Sequence, residues 1–333
     1  MEANSAGRAL RWLWAQQQPD GLLAADTYGA LRRGESVTAA ALLATAQIPT
    51  SHRGITLENN IARAFEALRS HVRREQPTDY ETYTAACHLH ALCLLQPNGW
   101  RQEAEQRVAE LRQLQCSQAN GWHPSDPAYG GFGLGDRVPQ KPFGGDLVTL
   151  STTVTVLEAV RIAGMENNDA MFAAAQTFVE RCQHFDGTPA AGGFFAAPTE
   201  EWRGGKGGRD ATGRKRAYGT ATADGLRALI ACGLEPAHPR IAATATWLRH
   251  HKDSQKVPGL LAEFEPALRC YWAASRIRAL HLIGEQTLEV PRWLLDRQRD
   301  DGAFVGFSSA MKEDEPVVGT VLALFAFAAT ASR

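Results

Sequence analysis

The stretch Gln115-Cys116-Ser117-Gln118-Ala119-Asn120-Gly121-Trp122 decides the fold, because its pattern returns at intervals along the chain. It ends an amphipathic segment, Ala104 to Leu114, and precedes a glycine-rich loop and a more apolar segment that begins near Leu147. Glutamines followed by an Asp-Gly pair recur at Gln17 with Asp20-Gly21, Gln183 with Asp186-Gly187 and Gln298 with Asp301-Gly302. A glutamine at a helix end can hydrogen-bond backbone groups without partners, and Asp-Gly favours a turn with a left-handed residue. Each copy therefore predicts a corner between neighbouring helical hairpins.

Composition and charge indicate a folded protein without a general affinity for polyanions. Of its 333 residues, 44% are hydrophobic and 21% are charged, which is enough apolar material for a sizeable core. The formal net charge of −1 gives no general attraction to nucleic acid or to an anionic membrane. The sequence therefore predicts no nucleic-acid partner.

The chain shows no targeting or spanning segment, which predicts a soluble, cytoplasmic protein. Residues 1–8 lack the basic start and apolar core of a secretory signal. The most apolar segment, Val317 to Ala329, is too short and too interrupted to span a bilayer, so no integral membrane segment is expected. The six cysteines lie within helical patterns with no Cys-x-x-Cys pair, which indicates reduced, packed thiols.

The chain divides into six helical hairpins, each with a charged outer segment and an apolar inner segment. The outer and inner segments are residues 9–17 and 36–46, 61–72 and 81–95, 104–114 and 147–163, 171–182 and 218–232, 241–250 and 270–282, and 290–299 and 317–329. Segments that are apolar on every side should be buried on every side. Such hairpins can close into a double ring or stack as an open solenoid. Since neither end has a polar capping helix, we predict an all-α protein in which one domain, residues 1–333, forms a double barrel of six hairpins and twelve helices.

The corners and one inner segment resemble the prenyltransferase and squalene-oxidase (squalene cyclase) repeat family. That segment is Tyr218-Gly219-Thr220-Ala221-Thr222-Ala223-Asp224-Gly225-Leu226-Arg227-Ala228-Leu229. The resemblance covers nearly the whole chain. It implies an α/α-toroid with an isoprenoid or another apolar small molecule in its central cavity. Because protein prenyltransferases pair their toroid with a separate helical subunit, the resemblance also leaves a protein partner open.

The acid and metal motifs of the family's enzymes are missing. The chain has no Asp-x-Asp-Asp acid, and its nearest approach, Asp296 to Asp301, is spaced differently and predicted at an outer corner. Protein prenyltransferases hold zinc with an Asp, a Cys and a His, and the residue after Tyr218, where the resemblance places the His, is Gly219. Cys87 and His90 could share a helical face, but a metal site needs three or four ligands and packed core residues explain this pair better. We therefore predict no metal and no cofactor.

A basic, glycine-rich loop over residues 202–216 is the strongest local charge feature. Its cations are Arg203, Lys206, Arg209, Arg214, Lys215 and Arg216, against Asp210 alone. Arginine side chains and the N–H groups of glycine-rich backbone suit a phosphate or diphosphate. The last five of these cations are therefore predicted to bind an anionic group at one mouth of the barrel. A solvated surface loop is the alternative interpretation.

Side chains of the inner helices supply the remaining candidates. The predicted pore-lining residues are Tyr83, His90, Asp146, Thr153, Tyr218, Asp224, Trp272, Arg276 and Phe325. Aromatic faces among them could stabilise a cation. Asp224 is the candidate general acid, because a buried carboxyl group needs a partner or a raised pKa; a structural hydrogen bond is the alternative. Asp146 and Tyr218 are further catalytic candidates, and a helix N-cap is the alternative for Asp146.

Two functions stay open from the sequence. The first is a toroid that binds an isoprenoid or other apolar ligand, with or without a diphosphate group, and whose activity is unassigned. The second is a terpene cyclase-type or isoprenoid-diphosphate enzyme that uses Asp224 and the basic loop. The enzyme predicts a deep apolar cavity with Asp224 facing it. The binding protein predicts a plugged pore, with Asp224 hydrogen-bonded away from any void.

Overall fold

The computed structural model of the protein describes residues 2–25, 27–53, 56–73, 80–135, 141, 148–188, 191–199, 205–252, 255–285 and 288–331. Within these ranges the chain forms thirteen α-helices and no strand longer than an isolated bridge. In chain order the helices are α1 (Glu2–Ala15), α2 (Glu35–Gln47), α3 (Thr50–Arg53), α4 (Glu58–Arg73), α5 (Glu81–Leu95), α6 (Trp100–Gln113), α7 (Leu150–Ile162), α8 (Ala170–Arg181), α9 (Gly219–Ala231), α10 (Pro239–His250), α11 (Arg269–Leu282), α12 (Arg292–Leu295) and α13 (Pro316–Ala331).

Six of these helices form a closed inner ring. Helix α2 packs against α5, α5 against α7, α7 against α9, α9 against α11 and α11 against α13, and α13 returns to α2. They are the six segments that the sequence predicted as inner helices, and nearly every residue of α9 is buried, as expected for a helix apolar on all sides. Outer helices surround the ring, with α4 on α2, α6 on α5, α10 on α9 and α1 on α13. The predicted all-α toroid is therefore confirmed.

Two details differ from the predicted twelve helices. The segment 290–299 forms a single helical turn, α12, since Pro291 sets its start and the chain turns back soon after Leu295. The N–H of Arg299 then donates to the carbonyl of Ala303 at 2.8 Å, which fixes a loop where a helix was expected. A short additional helix, α3, follows α2 and contacts α1. Neither change opens the ring.

Glutamine side chains join successive hairpins at the corners. The Nε2 group of Gln115 donates to the carbonyls of Gly130 at 2.9 Å and of Met171 at 3.0 Å, and Met171 lies in the first turn of the next outer helix, α8. Equivalent bonds run from Gln17 to Asn60, from Gln183 to Arg240 and from Gln298 to Ser5. The sequence assigned these glutamines to partnerless groups at a helix end, whereas the structure shows that they reach the following hairpin. The bond from Gln298 to α1 closes the ring between the two ends of the chain.

Glycines make these corners compact. Gly130 has φ +86°, and a Cβ atom added to it would lie 1.8 Å from the carbonyl oxygen of Ala174 in α8. Gly192 approaches the carbonyl of Ala243 in α10 in the same way, with a corresponding distance of 2.2 Å. No side chain fits at such separations, so glycine is required both for the left-handed backbone and for the close approach of two hairpins.

The corner geometry predicts a large cost for Gly130→Ala. Gly164 provides a matched control, since it has φ +87° and no atom within 4 Å of an added Cβ. Gly164→Ala should lower the free energy of unfolding by about 1–2 kcal/mol, the cost of the left-handed conformation alone. Gly130→Ala should lower the free energy of unfolding by about 2 kcal/mol more than Gly164→Ala does, because the added methyl group clashes with α8. Urea unfolding midpoints measure both, and equal losses would contradict the close approach.

Candidate functional site

A central cavity of about 330 Å³ lies at the N-terminal ends of the inner helices. All six inner helices contribute to its wall through their first two turns, for example Val37 of α2, Leu150 of α7, Ala221 of α9 and Val321 of α13. Residues of the loops between the helices complete the mouth, among them Leu31, Tyr80, Leu134, Lys206, Leu268 and Lys312. The wall is mainly aliphatic and aromatic, as a ring of apolar inner helices dictates.

Asp224 faces this cavity and is held by three donors. Its Oδ1 atom accepts from the Ser275 hydroxyl at 2.7 Å and from Nη1 of Arg227 at 3.0 Å, and Oδ2 accepts from the Tyr271 hydroxyl at 2.9 Å. Burial raises the pKa of Asp224, while Arg227 and the two hydroxyl groups oppose that rise. Asp224 thus combines features of both sequence alternatives, because it lines the cavity and is also fully hydrogen-bonded.

An ion cluster lies next to Asp224 in the interior of the inner ring. Arg227 donates through Nε and Nη2 to the two carboxylate oxygens of Glu158 at 2.8 and 2.7 Å, and Arg278 donates to the same carboxylate at 2.8 Å. Burial alone would raise the pKa of Glu158, but the two guanidinium groups outweigh it and lower this pKa to about 2. Burial lowers the pKa of His90 to about 4, so His90 is neutral at pH 7. The inner ring is therefore filled with paired charges at this level.

Glu313 is a second carboxyl group of the cavity that the sequence analysis missed. It is 1% exposed, and its two oxygens accept the backbone N–H groups of Cys270 and Tyr271, each at 2.9 Å, in the first turn of α11. Burial raises the pKa of Glu313 to about 7, although the two backbone hydrogen bonds oppose this. The only signal in the sequence was the acidic run Glu313-Asp314-Glu315 directly before the last apolar segment.

The described part of the basic loop, residues 205–216, brings one predicted cation to the cavity, Lys206. Arg209 and Lys215 pair across a small hairpin, and the Lys215 ammonium donates to the carbonyls of Ala197 and Pro198. Arg214 contacts His184 and forms an ion pair with Asp186. Arg216 is exposed. Most of the predicted cations are thus directed at neighbouring loops or at solvent, while Arg203 lies outside the described residues.

The remaining predicted residues divide between the cavity and other places. Tyr83 and Tyr218 line the cavity, and Tyr218 precedes α9 in an extended conformation. Trp272 is fully buried away from it, against Gly219, and Arg276 lines a separate cleft, where it donates to the carbonyl of Lys252. Trp272 and Arg276 therefore lie outside the lining of this cavity, because they project from other faces of α11 than Tyr271 does. His90, Thr153 and Phe325 also lie outside the cavity lining, and Asp146 is outside the described residues.

Two further properties of the described chain bear on the site. Within the described ranges, no group of three or more His, Cys, Asp or Glu side chains is placed to hold a metal ion. None of the helices that the structure describes combines the length and the apolar character needed to cross a bilayer.

A closed double ring of helices around a cavity defines an α/α-toroid, and known structures share this fold over the full chain. Type II terpene cyclase MstE from Scytonema superposes with a TM-score of 0.60 at 15% identity, covering 98% of this chain and 97% of that chain. The same cyclase, in a variant solved with its substrate geranylgeranyl dihydroxybenzoate, gives 0.58 at 15% identity over 99% and 97% of the two chains. The α-1,6-mannanase GH76A from Salegentibacter sp. HEL1_6 gives 0.59 at 12% identity over 99% of each.

These likenesses establish the fold and no more, since the sequences are only 12 to 15% identical. No profile of a known protein family matches the sequence. No curated protein sequence matches it either.

The raised pKa of Glu313 predicts a pH-dependent stability. Its folded-state value, about 7, lies above the ordinary 4.5, so the native state binds the proton more tightly than the unfolded state does. Its contribution is fully present below about pH 4.5 and is lost as the pH rises through about 7. Between pH 4 and pH 8 the free energy of unfolding of the native protein should fall by about 3 kcal/mol more than that of Glu313→Gln, whose side chain cannot ionise. Urea unfolding at both pH values checks this, and parallel pH profiles for the two proteins would contradict it.

Proposed function

We propose that the central cavity binds an isoprenoid or a similar unsaturated apolar chain. The observation that carries this proposal is the convergence of all six inner helices on one mainly aliphatic and aromatic wall. The volume of about 330 Å³ is at the lower end of the range of small-molecule sites. Each Å² of apolar surface that a ligand buries there contributes about 25 cal/mol. The likeness to a terpene cyclase supports this ligand class, because that toroid takes a geranylgeranyl compound as its substrate.

Filling the cavity should prevent binding. Ala221 is 3% exposed and lines the cavity, so Ala221→Leu places additional carbon atoms in the space of the ligand. We expect the affinity for farnesol, measured by isothermal titration calorimetry, to fall by about 10-fold or more, since overpacking opposes the ligand by about 1–3 kcal/mol.

The matched control is Ala242→Leu, the same change at an exposed position of the outer helix α10. It should bind farnesol as the native protein does. α-1,6-Mannotriose is the second control, since the fold is also that of a mannanase. Binding of mannotriose but not of farnesol would contradict the apolar ligand.

Proton-initiated cyclisation of the bound chain is a second candidate function, favoured by the two carboxyl groups of the wall. With a pKa of about 7, Glu313 keeps a substantial protonated fraction at neutral pH and can donate that proton to a carbon–carbon double bond. Asp224, held by Arg227, Ser275 and Tyr271, is the better-stabilised carboxylate and would stabilise the resulting carbocation. The proton lost when the cyclic product forms restores the acid. The alternative assignment keeps Asp224 as the acid and the basic loop as a diphosphate site.

The two assignments predict different variants to be inactive. If Glu313 is the acid, Glu313→Gln should reduce conversion of farnesol, followed by gas chromatography and mass spectrometry, by about 10²–10⁴-fold. Conversion by the native protein should decline as the pH rises through about 7, because the protonated form is lost. An inactive Asp224→Asn beside an active Glu313→Gln would reverse the roles. No cyclic product from the native protein at pH 5 to 7 would leave the binding function alone.

A further inference from the structure

Lys312 occupies an unusual position at the mouth of the cavity. It follows the short 3₁₀ turn Ser309–Met311, is half-buried and lines the cavity. Its ammonium group makes no hydrogen bond or ion pair with any residue in the described part of the chain; it lies 5.9 Å from the ring centroids of Tyr28 and of Tyr80. Aromatic faces stabilise a cation at such distances, but they leave its N–H donors without acceptors.

The two acidic residues directly after Lys312, Glu313 and Asp314, are directed elsewhere. Glu313 accepts the N–H groups of α11, and Asp314 accepts the Tyr28 hydroxyl through both oxygens, at 2.7 and 2.9 Å. These carboxylates are thus held by other donors, although they follow Lys312 directly in sequence. The lysine charge therefore points at the mouth without a direct counter-ion among the described residues.

Backbone strain marks the same place. The structure describes three non-glycine residues with positive φ, and two of them, Tyr80 at +50° and Lys312 at +62°, line the mouth and contact each other. Such conformations cost free energy and persist where the surrounding structure holds them, often at ligand sites. Lys206 adds a second lysine to the lining. The inner helices also begin here, and their N-terminal ends favour negative charge.

We propose that the ligand of the central cavity carries an anionic head group, a carboxylate or a phosphate ester, which Lys312 binds at the mouth. This inference rests on the proposed apolar-chain function and specifies the other end of the ligand. The chain fills the space between the inner helices, and the head stays where the ammonium donors, the two tyrosine rings and solvent meet. A neutral alcohol of the same length would fill the same space but would leave Lys312 without an ionic partner.

The test compares three ligands with one chain: farnesol, farnesoic acid and farnesyl monophosphate. Isothermal titration calorimetry of the native protein should show that one or both anions bind about 10- to 100-fold more tightly than farnesol. This is the gain in affinity expected from one charge-assisted hydrogen bond. Lys312→Gln should remove this preference, so that the three ligands bind with similar affinities. Lys141→Gln, at a lysine paired with Asp126 on the surface, should keep it and so controls for the loss of one charge. The tighter of the two anions identifies the head group.

The outcomes separate the two proposals. Farnesol binding with no preference for either anion, or a preference that survives in Lys312→Gln, would overturn the anionic head group and leave the apolar site standing. No binding of any of the three ligands would overturn both. Asparagine tolerates positive φ better than glutamine does, so Lys312→Asn is the second variant. A lost preference in both variants, with unchanged circular dichroism, excludes misfolding as the reason.

Discussion

The bonds from corner glutamines to the next outer helix are the interaction on which the structure depends. Each amide has two N–H donors, and in Gln115 they reach one carbonyl of its own loop and one of α8. Because a single side chain bonds both carbonyls, it holds one hairpin against the next. The bond from Gln298 to Ser5 does the same between the last hairpin and the first, so it joins the two ends of the ring. The cavity exists only because the ring closes.

The two hairpins without a glutamine corner are joined in another way. Arg69 of α4 donates to Glu103 of α6 and to the carbonyl of Asn98, and Arg249 of α10 donates to Glu285 and to the carbonyl of Ile283. In both cases an arginine links an outer helix to the chain that leads into the next hairpin. Their inner helices, α5 and α11, stand three places apart in a ring of six and so face each other. They contribute Tyr83 and Tyr271, two tyrosines of the cavity wall.

The sequence predicted the ring well and the site only in part. Helical periodicity and the corner pattern are local signals, so six inner helices, closure and a cavity with Asp224, Tyr83 and Tyr218 in its wall could be inferred. The basic loop was predicted as an anion site from its excess of positive charge. In the structure Arg214 forms an ion pair with Asp186, and Lys215 donates to two backbone carbonyls. Residue spacing in the sequence does not reveal such partners. Glu313 was missed because its role depends on the N-terminus of α11, 43 residues earlier in the chain.

The two carboxyl groups differ because their partners differ, and this follows from where the ring puts charge. Asp224 stands beside Arg227, whose guanidinium is itself held by Glu158. Glu158 also accepts from Arg278, so two arginines and two carboxyl groups lie together in the interior. Burying these ions singly would cost several kcal/mol each, and the bidentate pairing offsets that cost. Glu313 is held by two backbone N–H groups and the Cys270 thiol, and these uncharged donors stabilise a carboxylate less than a guanidinium does. Burial raises the pKa of both acids; in Asp224 the guanidinium of Arg227 and two hydroxyl groups oppose the rise, whereas the pKa of Glu313 reaches about 7.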